Sequence, residues 1–153
     1  MKEPQLTLLK GIATKAAKYG ERLQPAASEN QLNELAQRAK AELKFDVPAD
    51  YMEFLRVHNG IDWNGFSIYA TEIAPIEGYM DRFLRGFVET NLQYWEVVEN
   101  RPFITFGESG DSRYVFDLTS GTYQAVDSVS LDLIEEYADL GAMLAGLLSR
   151  ASE

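Results

Sequence analysis

Cysteine is absent from this 153-residue chain, and histidine occurs once, as His58. The first absence excludes a disulfide framework, Cys-ligated zinc, an iron–sulfur cluster and a cysteine nucleophile. The second excludes any zinc motif that needs two imidazoles, such as H-E-x-x-H. Long apolar runs are also missing, and no stretch approaches the roughly 18 residues of a membrane span. Met1 to Gln5 is polar, and the run from Leu6 to Ala17 is broken by Lys10, Thr14 and Lys15, unlike a secretory leader. A cytoplasmic location is the resulting default. Positive charge is scarce: 14 Lys and Arg stand against 24 Asp and Glu, a formal net charge of −10. Phosphates of nucleic acid and anionic lipid headgroups should repel such a chain, so neither is an expected partner. Both G-x-G-x-x-G and G-x-x-x-x-G-K-[ST] are absent, and no cofactor is expected.

What is present describes a folding domain. Hydrophobic residues make up 46% and charged residues 25%. Area scaling gives about 7,800 Å² of folded surface, with about 69% of the extended chain's surface buried. The charge is uneven. Residues 1–44 carry eight Lys/Arg against five Asp/Glu, net +3, and residues 45–153 carry six against nineteen, net −13.

Leu6, Leu9, Ile12, Ala13, Ala16 and Ala17 recur at helical spacing and predict a helix over 6–18. Ser28-Glu29-Asn30-Gln31 reads as a capping box opening a helix over 29–43. Pro48 precedes a helix over 49–58, which Asn59-Gly60 closes. Ile61 to Gly65 reads as a turn-rich loop and 66–70 as a short strand, followed by an irregular stretch to residue 85. Val88, Leu92, Trp95 and Val98 predict a helix over 86–99. Strands are expected at 103–106, 112–118 and 122–127, the last two forming a hairpin about Thr119-Ser120-Gly121. Leu133, Ile134, Tyr137, Leu140, Leu144, Leu147 and Leu148 form one apolar stripe, predicting a helix over 131–149 capped by Ser128 or Ser130. This order predicts an α+β single domain, an antiparallel sheet packed with N-terminal, middle and C-terminal helices.

The run Val47-Pro48-Ala49-Asp50-Tyr51-Met52-Glu53-Phe54-Leu55-Arg56-Val57-His58-Asn59-Gly60 resembles the signature of the SUKH superfamily. That superfamily includes fungal cell-wall-synthesis regulators and many bacterial immunity proteins. The resemblance continues through Phe106-Gly107-Glu108-Ser109-Gly110-Asp111, Tyr114-Val115-Phe116-Asp117 and Gly121-Thr122-Tyr123, and spans roughly residues 45–145. Members often carry further glycines after Asn-Gly, where this chain has Ile61-Asp62-Trp63. Residues 1–44 then read as a helical N-terminal extension packed on the SUKH-like domain of residues 1–153. The signature identifies a scaffold rather than a reaction.

Catalytic motifs fail on inspection. Gly107-x-Ser109-Gly110 invites a nucleophile-elbow reading, but Asp111 stands where the pattern needs glycine and a strand follows, not a helix. His58, at a helix end, suits the carbonyl dipoles there better than a triad with Ser109 and Asp111. Asp62-x-Asn64-Gly65 resembles a fragment of a calcium loop without its ligand spacing or terminal Glu. Asp46, Asp50 and Glu53 stand at a helix start, where capping explains them better than metal binding.

The resemblance and the charge together imply a non-enzymatic protein-interaction module: an immunity protein that binds and neutralises a cognate toxin. Its expected partner is a basic toxin domain, drawn in by long-range attraction. Trp63 is the preferred anchor, in a polar loop beside Asp62 and Asn64, though it can equally fold back as core. Glu77 and Asp81 extend the same face, and Glu108 and Asp111 on another loop are further partner-binding candidates. The alternatives are a cytoplasmic regulatory or scaffolding module unrelated to toxins, as the fungal relatives suggest, or a small-molecule-binding domain.

Overall fold

The computed structural model describes all residues from Met1 to Glu153. Its accessible surface is 7981 Å², close to the area expected for one compact body of this mass. Helix α1 covers Glu3–Lys18 and α2 covers Glu29–Arg38. The predicted capping box opens α2: the Gln31 N–H donates to Ser28 Oγ at 3.1 Å, and the Ser28 N–H donates to Gln31 Oε1 at 2.9 Å. The expected single helix over 29–43 changes gauge, because Ala39–Leu43 forms a π-helical turn. Lys44 then ends it in the left-handed region at φ 53°.

Helix α3 spans Ala49–Val57 and buries Tyr51, Phe54 and Leu55. Asn59 and Gly60 after it do different work. The Asn59 amide binds Thr71 twice, accepting from its N–H at 2.8 Å and donating to its Oγ1 at 3.1 Å. Gly60 sits at φ +84°, and a Cβ there would stand 2.8 Å from the Ile68 carbonyl oxygen. The turn therefore requires glycine on both conformational and steric grounds.

Strands β1 (Ile61–Trp63) and β2 (Phe66–Ile68) follow as a hairpin where a loop is expected. Its two linking residues, Asn64 at φ 53° and Gly65 at φ 79°, are the pair a two-residue primed turn demands. The stretch expected to be irregular carries a small ribbon, β3 (Ala74–Pro75) on β4 (Phe83–Leu84). Helix α4 covers only Phe87–Tyr94, with a 3₁₀ turn at Val98–Asn100. It stops short of the predicted residue 99 because side chains take its last carbonyls. Asn100 donates to the Tyr94 oxygen and Arg101 to the Trp95 oxygen, leaving Leu92 and Val98 exposed.

Strands β5 (Phe103–Glu108), β6 (Ser112–Asp117) and β7 (Thr122–Asp127) match the predicted hairpin region. The C-terminal expectation needs correction. Residues 131–149 are not one helix: Leu133–Tyr137 is a strand, β8, and helix α5 runs Leu140–Ala151. Leu133, Ile134 and Tyr137 fit a helical stripe, but the capping chemistry lies elsewhere. Asp127 accepts the N–H groups of Val129 and Ser130 in a turn, and Asp139 caps α5 by accepting from Ala142 at 2.7 Å.

The main sheet is antiparallel throughout, in the order β1-β2-β5-β6-β7-β8. β2 pairs only with Gly107 and Glu108 of β5. Side chains of α4 and of Trp95, its C-cap, bond to the rest of that strand. Asn91 exchanges two bonds with the Thr105 backbone, at 2.9 and 2.7 Å, and the Trp95 indole donates to the Phe103 oxygen at 2.9 Å. One core of 25 buried residues runs from Leu9 to Ala151, with the rings of Tyr51, Phe87 and Phe106 meeting in tilted and edge-to-face contacts, their centroids within 5.3 Å of one another.

Candidate interaction surface

The β1–β2 hairpin tip closes one side of a cavity of about 290 Å³. Residues 21–23, before α2, and residues 76–82, in the β3–β4 turn, supply the rest. Of the residues singled out from sequence, Asp62, Trp63, Asn64 and Glu77 line it together. Asp81 is exposed on the same turn without lining the cavity.

The charges here are largely matched. Arg82 donates to Asp62 at 2.9 Å and lies 4.6 Å from the Tyr79 ring centroid. The Tyr79 hydroxyl donates to Glu21 at 2.5 Å, and that carboxylate holds its phenol above the ordinary tyrosine range. The Glu77 backbone N–H donates to Gln24 Oε1, whose amide nitrogen donates in turn to the Pro75 oxygen. Three acids and two arginines share the cavity.

Trp63 is half-buried. It packs against the core, faces Tyr19 at 6.5 Å between ring centroids and pairs across the hairpin with Phe66. Its neighbour Asn64 donates to the Ala151 oxygen at 3.2 Å, tying the hairpin tip to the end of α5. Lys15 and Lys18 of α1 line an adjoining hollow that shares Glu21, Trp63 and Asn64 with this cavity.

Glu108 and Asp111 lie apart from this cavity. Glu108 is half-buried, accepts from the hydroxyls of Tyr69 and Tyr94 at 3.1 and 3.2 Å, and stands 3.5 Å from Arg85. Asp111 accepts from Ser109 and Ser112, and those bonds hold its carboxyl below the ordinary range. Ser109 thus donates to a carboxylate, while the His58 ring nitrogen Nδ1 lies 2.6 Å from the Gln24 oxygen. Neither is oriented by the other.

The longest interval without a cation lies elsewhere. From Tyr114 to Ser149 the chain has no Lys or Arg, and it carries Asp117, Asp127, Asp132, Glu135, Glu136 and Asp139. These residues belong to β6, β7, β8, the turns about them and the start of α5, in the half of the sheet away from β1. The local sequence signal for this surface is that interval without a cation. A helical reading of residues 131–149 hides the exposed strand within it.

No helix of the structure is long and apolar enough to cross a membrane. Residues 26–145 match a family model described as SMI1 / KNR4 family (SUKH-1), covering well over half of the chain and starting just before α2. No curated protein matches the chain.

Proposed function

The chain belongs to the SMI1 / KNR4 family (SUKH-1), and from that membership we propose that it is a non-enzymatic protein-interaction module that binds a cognate toxin and neutralises it. The family includes toxin-immunity proteins and is generally non-enzymatic. The observation that carries the reading is the charge distribution: net −13 over residues 45–153, with no cation at all between Tyr114 and Ser149. A toxin that works on phosphate-bearing substrates presents a cationic site. Carboxylates held on a rigid antiparallel sheet occupy such a site in place of the substrate and accelerate encounter.

On this reading the protein acts in the cytoplasm on a basic toxin domain. The hairpin-tip surface supplies the anchor: Trp63 offers a half-buried aromatic edge, with Asp62, Asn64, Glu77 and Asp81 around it. Glu108 and Asp111 are secondary contacts.

The test is genetic and then physical. The gene product encoded beside this chain is expressed alone and together with it. Rescue of growth, and a complex that survives gel filtration, support the proposal. A neighbour that is harmless, or whose toxicity this chain does not relieve, overturns it in favour of a regulatory module. A hydrolytic activity that Ser109→Ala abolishes overturns the non-enzymatic part.

A further inference from the structure

We propose that the outer edge of β8 is a docking site for an extended basic segment of a partner protein, laid antiparallel against Leu133–Tyr137 as a seventh strand. This goes beyond the immunity reading, because it concerns how a partner is held whatever that partner does.

The sheet order ends at β8, and no strand pairs with its outer edge. A terminal strand presents a row of backbone donors and acceptors that pair with any suitable chain. Proteins usually shield such an edge by covering it, by proline, or by lysines along it. This edge has no paired strand, no proline and no lysine, and its one irregularity is a bulge at Ile134, where pairing steps from Leu133 opposite Val126 to Glu135 opposite Ala125. Its shield is acidic and therefore selective. Glu135 and Glu136 are adjacent, Asp132 and Asp139 flank them, and the first four residues of the strand are exposed. Leu133 and Ile134 are 57% and 48% exposed, an apolar footing beside the charges.

Register defines the partner. Glu136 lies opposite Gln124 and Glu135 opposite Ala125, so the two carboxylates project to opposite faces of the sheet. Arg150, at 3.4 Å, already shares Glu135, whereas Glu136, Asp132 and Asp139 have no cation. A matching strand carries consecutive Lys or Arg residues, one meeting each face, beside β-branched or aromatic residues that cover Leu133 and Ile134. A second copy of this chain is the disfavoured occupant. Antiparallel pairing of two complete β8 strands sets Glu135 opposite Glu135 or Glu136, and like charges directly opposite destabilise the ladder.

The test uses the full-length protein and a short synthetic peptide of Val, Thr and Ile around a central Lys-Lys pair. A second peptide has the same sequence with alternate backbone amides methylated, which keeps the charge and removes the ladder bonds. Backbone amide exchange and chemical shifts are followed on titration. The expected result is slowed exchange in β8 with the first peptide and binding weakened about tenfold or more with the second, an effect simple charge attraction does not produce. Glu136→Lys combined with Asp132→Asn weakens binding about fivefold or more. Glu34→Lys on exposed α2 serves as the charge control and leaves binding nearly unchanged. Equal affinity for both peptides, or protection confined to the Trp63 surface, overturns the strand-addition proposal and leaves the immunity reading standing. No binding of the unmethylated peptide at low salt overturns the β8 proposal, and toxin rescue is scored separately.

Discussion

Arg82 holds Asp62: the guanidinium donates to the carboxylate at 2.9 Å while stacking over Tyr79. The two residues stand twenty positions apart, on the β1–β2 hairpin and the β3–β4 turn. Asp62 is therefore not a free charge projecting toward a partner, and it also ties two loops together.

Neutralising Asp62 should accordingly do little to association kinetics. Glu77→Gln with Asp81→Asn, both exposed and unpaired, should slow association with a basic partner and flatten its salt dependence. Asp62→Asn should change both less and lower stability by no more than about 0.5 kcal/mol, given that Arg82 is half-exposed. Stopped-flow rates at low and high salt give the comparison. An Asp62→Asn effect as large as the double variant's would mean that the ion pair opens in solution.

Phe54 is 1% exposed at the heart of α3. Phe54→Ala should cost about 3–5 kcal/mol, read from the midpoint and slope of a urea unfolding curve. A loss below about 1 kcal/mol would mean that the surrounding core collapses into the space.

At Gly60, alanine meets both a left-handed backbone and the Ile68 carbonyl. Gly60→Ala should destabilise by about 2 kcal/mol or more. Gly65→Ala is the comparison, because its φ is also positive and nothing lies near its Cβ, so only the conformational part remains. Thermal unfolding of both variants separates the contributions. Equal losses would remove the steric argument.

Trp63→Ala should lower stability by about 1–2 kcal/mol, because it is partly buried against the core. In a complex it should mainly accelerate dissociation, with a loss of about 2 kcal/mol or more. Tyr19→Ala removes the tilted neighbouring ring and leaves the indole. It should change dissociation little, and a double-mutant cycle should give a coupling of about 0.5 kcal/mol. An unchanged dissociation rate for Trp63→Ala would confine Trp63 to a structural role.

The Asp127 carboxyl is held below the ordinary range by the Ser130 and Val129 N–H groups it accepts. Its pKa is lower folded than unfolded. The stabilisation is therefore fully present above the unfolded value, about 3.9, and fades as pH falls through the depressed folded value. Protection factors of the amides in the turn between β7 and β8, taken relative to their intrinsic exchange rates, should fall over that acid window, while α3 stays protected. Asp127→Asn keeps an acceptor oxygen and should abolish the pH dependence. A turn whose exchange tracks global unfolding at every pH would contradict this.

Local chemistry was legible in the residues and long-range pairing was not. Ser28 and Gln31 are three positions apart, so their reciprocal bonds follow from spacing alone. Alternation in Ser112–Asp117 and Thr122–Asp127, around a glycine turn, specified a hairpin for the same reason. β8 escaped because Leu133, Ile134 and Tyr137 satisfy a helical period, while the decisive caps, Asp127 and Asp139, lie outside the apolar stripe. At the hairpin tip, Asp62, Trp63 and Asn64 are neighbours in sequence and stay together. Arg82 and Tyr79 joined them only through tertiary folding. Glu108 looked like a loop acid and is instead held by two tyrosine hydroxyls from distant elements.

The π-helical turn at Ala39–Leu43 bears on how this chain tolerates changes in length. An α-helix rotates about 100° per residue, so losing one residue from its middle re-aims every side chain that follows. A π turn accommodates one residue more than the α-helical turn it replaces. Ala39 and Leu43 are buried at its ends, and Lys40, Ala41 and Glu42 are exposed between them. Deleting one of those three can restore an ordinary turn while Phe45, Val47 and Pro48 keep their places. Deleting one residue in Leu32–Leu35 has no such slack to absorb it. Single-residue gaps in homologous sequences should therefore fall at positions 40–42 and avoid the rest of α2.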